Sequence, residues 1–403
     1  MKKSHSRLFY IGVLAFAALF LFVGNRIASG VLDFSEQIDD FTVFSAVVTS
    51  VTGRTEDAID MGYFTSTDIT ITFNARITNG ARRGETVQAQ HTISGFLDLP
   101  EAEVEAGDRV VLGYDDFSGT FFFMTHQRIN SVLILGFIFL LLMILFGRKK
   151  GFNSIVALGF ICMAIFMVFV PAILSGRNIY IATFVTVIYS IVTTLLIVIG
   201  PNKKAISAML GCLGGVLFAA ILMAAMNGIV QLTGFIDHET RSLIMLNPEN
   251  PINLQAIIFA GVIIGSAGAI MDVAMSIASS LWEVKLAGVK SDFRSIFKSG
   301  IEIGKDILGT MLNTLILAYI GSSITVILLI TAHSASFAGL FNTEMIIVEL
   351  LRALVGSFGM FLTLPLTAAI CGALYTRKPK DTPQDTPLPE LQSDILNLRA
   401  EQS

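Results

Sequence analysis

Charged residues are scarce in this chain. Only 14% of the 403 residues are Asp, Glu, Lys or Arg, and 53% are hydrophobic, with a mean hydropathy of +0.72. Because a soluble domain carries about 25% charged residues, most of this chain is expected to contact lipid. The net charge of −4 argues against nucleic acid as a partner, since nucleic-acid binders depend on a basic surface.

Cysteine and histidine are also rare, with three and five residues. The odd cysteine count and the absence of a C-x-x-C spacing argue against a disulfide framework and a zinc site. The chain also lacks the G-x-S-x-G, H-E-x-x-H, Walker A and G-x-G-x-x-G motifs. We therefore expect no catalytic residues, no metal and no cofactor, and an enzyme is not the favoured interpretation.

What the chain does contain is long apolar runs. A membrane span needs about 20 such residues, and eight runs qualify: about 8–24, 129–147, 152–170, 179–199, 205–229, 254–281, 307–331 and 346–375. Basic clusters such as Arg148-Lys149-Lys150 and Arg377-Lys378 all fall on one side of this arrangement. The positive-inside rule then predicts a multi-pass membrane protein with both termini in the cytoplasm.

These runs divide the chain into four predicted parts. Residues 1–25 form a membrane anchor or, as the alternative, a cleaved signal peptide; the anchor is preferred because Asn25-Arg26 end the apolar core early. Residues 26–128 form an extracytoplasmic domain of five or six short strands, a small barrel or sandwich that we expect to be OB-like. Residues 129–376 form a seven-helix membrane domain, and residues 377–403, which are rich in proline, form a disordered tail. The fold class is therefore mainly α, a polytopic helical membrane bundle with a small β domain.

One carboxylate, Asp272, interrupts the sixth apolar run. It belongs to a row with Gly268 and Ser276, beside a second row containing Gly261 and Gly265, and small residues allow close helix contact in lipid. We therefore expect Asp272 to face the bundle. It lies at mid-membrane if the helix continues unbroken to Trp282; in the alternative, the helix ends near Ser276 and Asp272 lies at the headgroups.

The seventh run offers polar neighbours for this carboxylate. Thr310, Asn313 and Thr314 lie at helical spacing, so Asn313 either donates to Asp272 or holds two helices together. The fifth run contains Gly211 and Gly215, which are typical of helix packing and have no chemistry of their own. After Trp282, apolar and basic residues alternate near helical spacing, and we interpret residues 293–301 as an amphipathic helix on the inner leaflet.

Two motifs support a family assignment. The segment from Gly268 to Ser280, and the segment from Gly304 to Leu315 with Ala318 to Gly321 after it, resemble the YibE/F family of bacterial multi-pass membrane proteins, known mainly from Gram-positive genomes. The resemblance spans about 130–376, and the outer β region resembles the longer, YibE-type member. Such proteins are often encoded beside a shorter relative, which implies a membrane partner. The family brings no settled biochemical activity.

Two functions follow as hypotheses. In the first, the protein is permease-like or transport-associated, and Asp272 couples to a proton or cation; the layout around Asp272 resembles half of an RND-type transporter, in which intramembrane Asp residues relay protons. In the second, the protein is a non-catalytic envelope scaffold that acts through its β domain. Neither hypothesis identifies a small-molecule or ion substrate.

Overall fold

The computed structural model describes residues 2–28, 41–60, 65–94, 102–116, 118–236, 238–245, 251–287, 292–333 and 337–376. The predicted tail at 377–403 lies outside these residues. The described chain is mostly helical and divides into two compact units. One unit contains residues 1–30 and 156–403, and the other contains residues 31–155.

Seven helical segments are long and apolar enough to cross a membrane, which is consistent with a multi-pass membrane protein. They are α1 (Lys2–Ala28), α2 (Ile129–Ala164) with the π-helical turn Ile165–Phe169 and α3 (Val170–Leu174), α4 (Ile179–Val198), α5 (Lys203–Val230), α7 (Leu254–Leu286), α8 (Phe293–Ser322) and α11 (Glu344–Thr376). The shorter helices are α6 (His238–Met245), α9 (Ile324–His333) and α10 (Phe337–Phe341).

The second and third predicted spans form two helices that are joined at a kink. Ile129–Leu174 has 46 residues, which at about 1.5 Å per residue is roughly twice the thickness of a bilayer core. Its regular geometry breaks at Arg148, where φ is 48° and ψ is −126°. The break lies in the basic triplet Arg148-Lys149-Lys150, which separates the two predicted spans. The described chain therefore has seven candidate spans instead of the predicted eight because these two spans are counted as one.

Four long helices begin with the same local device. Asn178, Asn202, Asn253 and Asp292 precede α4, α5, α7 and α8, and each side chain accepts a hydrogen bond from a backbone N–H three residues later, at 2.8–3.3 Å. Such caps satisfy one of the N–H groups that the first turn of a helix leaves unpaired.

The helical core forms around α7, which packs against α4, α5, α8 and α11. Ile263, Ile270 and Ile277 recur every seven residues and are fully buried. Ile270 fits between two glycines: an added methyl group at Gly359 would lie 2.6 Å from Ile270 Cδ1, and one at Gly215 would lie 3.1 Å from Ile270 Cγ2. Glycine on α5 and α11 therefore lets three helices meet at one point.

The predicted amphipathic helix on the inner leaflet is not a separate element. Residues 293–322 form the single helix α8, whose first half packs into the bundle. An added methyl group at Gly300 would lie 2.7 Å from Ala368 Cβ, and Gly304 lies equally close to Leu364. The interpretation of residues 293–301 as a separate surface helix was wrong. It relied on the basic residues of this segment and overlooked Gly300 and Gly304, which allow α8 to approach α11 closely. The seventh predicted span is also interrupted, since α8 ends at Ser322 and α9 begins at Ile324.

The β strands form a closed five-stranded barrel. They are β1 (Phe41–Asp60), β2 (Thr65–Ile77), β3 (Thr86–Ile93), β4 (Arg109–Asp115) and β5 (Thr120–His126), in the order β1-β2-β3-β5-β4. β3 and β5 pair in parallel, whereas the other neighbours are antiparallel. Alternating residues of β3 are buried, and Phe73 of β2 and Leu112 of β4 are fully buried inside the barrel. The small β domain thus has its own core.

Candidate functional site

Asp272 lies near the middle of α7. The helix is unbroken from Leu254 to Leu286, so it does not end near Ser276 and continues through Trp282. At about 1.5 Å per residue, Asp272 is roughly 27 Å from one end of α7 and 21 Å from the other. A carboxylate at such a position is rare in an apolar helix and has functional interest by default.

Asp272 is not enclosed by the helices of this single chain. Asp272, Gly261, Gly265 and Gly268 are all exposed on the surface of this single chain, while Ser276 is half-buried. Within the described residues, Asp272 has no hydrogen bond or ion pair. This exposure differs from the expected orientation. Each of the four exposed residues lies two positions from a fully buried isoleucine of α7. In a helix of 3.6 residues per turn, two positions correspond to about 160–200° around the axis, so the exposed residues lie opposite the isoleucines.

α8 packs beside α7. A methyl group added at Gly265 would lie 3.2 Å from the Tyr319 hydroxyl, and one at Gly300 would lie 3.0 Å from Leu281. α7 and α8 are therefore antiparallel, and equal rise along both helices brings Asp272 roughly level with residues 309–312.

Three exposed side chains of α8 occur at this level. Thr310, Asn313 and Thr314 are all exposed, and we call them, together with Gly268 and Asp272, the polar face. The hydroxyl groups of Thr310 and Thr314 donate to backbone carbonyls of their own helix at 3.0 Å. No hydrogen bond joins Asn313 to Asp272 in the part of the chain that the structure describes. The polar face is thus an uncovered set of groups and not a closed pair of helices.

An ion pair between Arg352 and Glu349 lies on α11. It is closer to the start of α7 than Asp272 is. Arg352 Nη1 donates to Glu349 Oε1 at 2.6 Å, and both side chains are about three-quarters buried, with exposed fractions of 28% and 25%. A methyl group added at Gly261 would lie 3.9 Å from Arg352 Nη2. Gly261 and Gly265 thus leave room beside α7 for Arg352 and Tyr319.

Gly211 and Gly215 mark a close contact between α5 and α11. A methyl group at Gly211 would overlap the side chain of Thr367, and one at Gly215 would overlap Thr363 Oγ1. Thr363 Oγ1 donates to Gly359 O at 2.8 Å. Sequence reasoning did not pair these threonines with the glycines, although both rows repeat every four residues and their spacing could have indicated the match.

No described group of three or more His, Cys, Asp or Glu side chains is arranged to hold a metal ion. The polar face offers one carboxylate, one amide and two hydroxyl groups. Such a set can bind and release a proton or position a small cation together with further ligands, but its composition does not select a particular metal.

Comparison with protein families identifies a matching family. A model of the YibE/F-like protein family covers residues 135–377, more than half of the chain, and includes the polar face, the ion pair on α11 and the contact between α5 and α11. The chain belongs to the YibE/F-like family. Searches of the curated proteins and of the solved structures each find no significant match. In this YibE/F-like protein, the matched region contains the whole helical core, and the barrel precedes it.

Proposed function

We propose that this YibE/F-like protein is a non-enzymatic, permease-like or transport-associated protein of the bacterial cell membrane, and that Asp272 is its proton- or cation-coupling residue. The observation that carries the proposal is a single carboxylate near the middle of an unbroken 33-residue apolar helix, at about the level of the exposed Thr310 and Asn313 of α8. Carboxylates at such depth occur in ion pathways and proton relays.

The exposure of Asp272 supports a second subunit. A charged Asp at the centre of a membrane helix costs about 2.5–3.5 kcal/mol on insertion scales, so a lipid-facing Asp272 would remain protonated or would be covered. Glycine at 261, 265 and 268 would let another helix approach the backbone of α7 closely. We propose that a shorter member of the same family covers the polar face, so that the coupling site is completed at the interface.

Flux measurements on Asp272→Asn test the coupling role. The protein is reconstituted in liposomes loaded with a pH-sensitive dye, and proton movement is followed after a Na⁺ or K⁺ gradient is imposed. We expect Asp272→Asn to reduce the ion-driven proton flux at least about tenfold, because an amide does not exchange a proton. Glu283→Gln is the matched control, since Glu283 is an exposed carboxylate of the same helix about 16 Å further along α7, and it should retain the flux of the unmodified protein.

Solvent access provides the second readout. Gly268→Cys and Ser276→Cys place thiols one turn before and one turn after Asp272 on the same side of α7, and both should react with a membrane-impermeant maleimide if a water path reaches the carboxylate. Undiminished flux in Asp272→Asn, or no labelling at either position in a folded protein, would refute the coupling role. Cross-linking from Gly268→Cys to a co-expressed shorter relative tests the partner, and the mass of the product distinguishes it from a second copy of this chain.

A second candidate function is an envelope scaffold. The observation that favours it is the closed barrel, with thirteen buried hydrophobic residues of its own, which is more than a connecting loop requires. Beyond the barrel, β1 and β2 pair with each other as far as Asp60 and Thr65, whereas β1 pairs with β4 only over Phe41–Val47. This two-stranded extension provides a surface for a wall or protein partner. Deletion of the segments 57–60 and 65–68, which pair only with each other, should abolish partner capture and leave ion flux intact if the scaffold function holds.

A further inference from the structure

An apolar groove separates α1 from α4. Its volume is about 690 Å³, which is within the range of about 300–1,000 Å³ for small-molecule sites. The walls include Phe16, Leu19 and Val23 of α1 and Ile181 and Val185 of α4. All five side chains are exposed on the surface of the chain, so the groove opens sideways toward the surrounding lipid.

The pairing of α1 with its neighbours gives the groove a fixed shape. Tyr189 of α4 donates its hydroxyl to Ala17 O at 3.2 Å, and its ring stacks on Phe20 with centroids 4.1 Å apart. Gly24 lies so close to Val168 that an added methyl group would be 3.0 Å from it. The two walls are thus joined at the back of the groove while their front edges remain apart.

One end of the groove is polar. Arg177 and Asn178, between α3 and α4, line this end, and both also line a smaller, more polar cavity of about 210 Å³ that reaches Asn253 at the start of α7. The side-chain oxygens of Asn178 and Asn253 already accept hydrogen bonds from α4 and α7. Among the described residues, Arg177 makes no ion pair, so its guanidinium is available to an anion.

This arrangement matches an amphiphile. The groove follows α1 from Phe16 to Ala28, roughly 18 Å at about 1.5 Å per residue, which is close to half of the 30 Å or so of a bilayer core. A guanidinium group can bind a phosphate in bidentate fashion. Because Arg177 lies at the end of a groove of this length, its guanidinium would lie at the depth of the headgroups of one leaflet.

We propose that the groove between α1 and α4 binds one anionic phospholipid, whose acyl chain lies in the groove and whose phosphate is bound by Arg177. The smaller polar cavity receives the rest of the headgroup. This inference depends on the membrane location of the protein and not on a transport role for Asp272. Bound lipid would also attach α1 to the bundle, since it contacts both walls.

Native mass spectrometry of the full chain tests the site. The detergent-purified protein is incubated with mixed micelles that contain equal amounts of phosphatidylglycerol and phosphatidylcholine, and the two bound species are compared. We expect Arg177→Gln to lower the preference for phosphatidylglycerol about fivefold, the effect of one basic residue near an anionic lipid surface. Arg294→Gln, an exposed arginine of α8 outside the lining of the groove, is the matched control and should leave the preference unchanged.

A second variant tests the groove itself. Val185→Trp fills the slot and should reduce the binding of both lipids, whereas Ile188→Trp, an exposed position of α4 outside the lining, should not. Equal lipid preference in Arg177→Gln and the unmodified protein would overturn the proposal. So would lipid-free protein, occupation of the groove by a second copy of the chain, or an intact mass showing that residues 1–28 have been removed.

Discussion

The contact between α5 and α11 provides a quantitative test of packing in this core. In Gly215→Ala, the new methyl group would overlap Thr363 Oγ1 and would lie 3.0 Å from Gly359 O and 3.1 Å from Ile270 Cγ2. Thr363 cannot turn away without loss, because its buried hydroxyl donates to Gly359 O at 2.8 Å. The backbone of α11 must therefore move away from α5.

The size of the effect follows from two opposing terms. Overpacking a dense core costs about 1–3 kcal/mol, whereas alanine is favoured over glycine within a helix by about 1 kcal/mol. Gly228→Ala, also in α5, isolates the second term because no atom lies within 4 Å of the added methyl group. We expect Gly215→Ala to have a free energy of unfolding about 1–3 kcal/mol below that of Gly228→Ala.

The chain contains its own probe for this measurement. Trp282 is the only tryptophan, and its ring packs against Tyr375 of α11 with centroids 5.1 Å apart, so its fluorescence should report separation of α7 from α11. Unfolding is followed in mixed micelles as the mole fraction of SDS rises. Adding Thr363→Ala to Gly215→Ala removes the overlapping oxygen and should recover part of the loss. Equal stability of Gly215→Ala and Gly228→Ala, or no recovery in the double variant, would refute the reasoning.

Two further predictions concern the barrel and the ion pair. Phe73→Ala removes a fully buried ring of β2 and should destabilise the barrel by about 3–5 kcal/mol; hydrogen exchange should then increase in residues 41–126 and remain unchanged in α7, and an equal increase in α7 would contradict two separate cores. Arg352→Gln leaves the Glu349 carboxylate without its cation, and Glu349 Oε2 already has no hydrogen-bond partner among the described residues. We expect a loss of about 1–3 kcal/mol in SDS unfolding, reversed in part by Glu349→Gln; a double variant less stable than Arg352→Gln would contradict this account.

Much of the fold follows from the sequence because the strongest signals are local. The five strands β1–β5 lie within the region for which five or six strands were predicted, because alternation and turn residues such as Asn79-Gly80 are local signals. The seven apolar helices could be predicted for the same reason. The closure of the barrel through β1 and β4 could not, because it depends on pairing between residues about 70 positions apart.

The relation between helices was harder to predict than the helices themselves. Residues 293–301 carry the apolar and basic pattern of a surface helix, yet Gly300 and Gly304 pack this segment against Ala368 and Leu364. Amphipathic pattern alone does not distinguish a lipid surface from a neighbouring helix, because both present apolar surface. The groove at Arg177 was missed for a related reason: its lining comes from two segments separated by about 150 residues, and neither carries a motif.

The orientation of Asp272 could have been derived from the sequence by starting from the apolar residues. Ile263, Ile270 and Ile277 repeat every seven positions, and in the structure this row is the fully buried one. A residue two positions away lies on the opposite side of the helix, so Asp272 had to be uncovered wherever that row formed the core. Small residues beside a carboxylate indicate that some helix can approach closely, but they do not say whether it belongs to the same chain. Here α5 and α11 occupy the other side of α7, and the face with Asp272 remains open to a helix from a second protein.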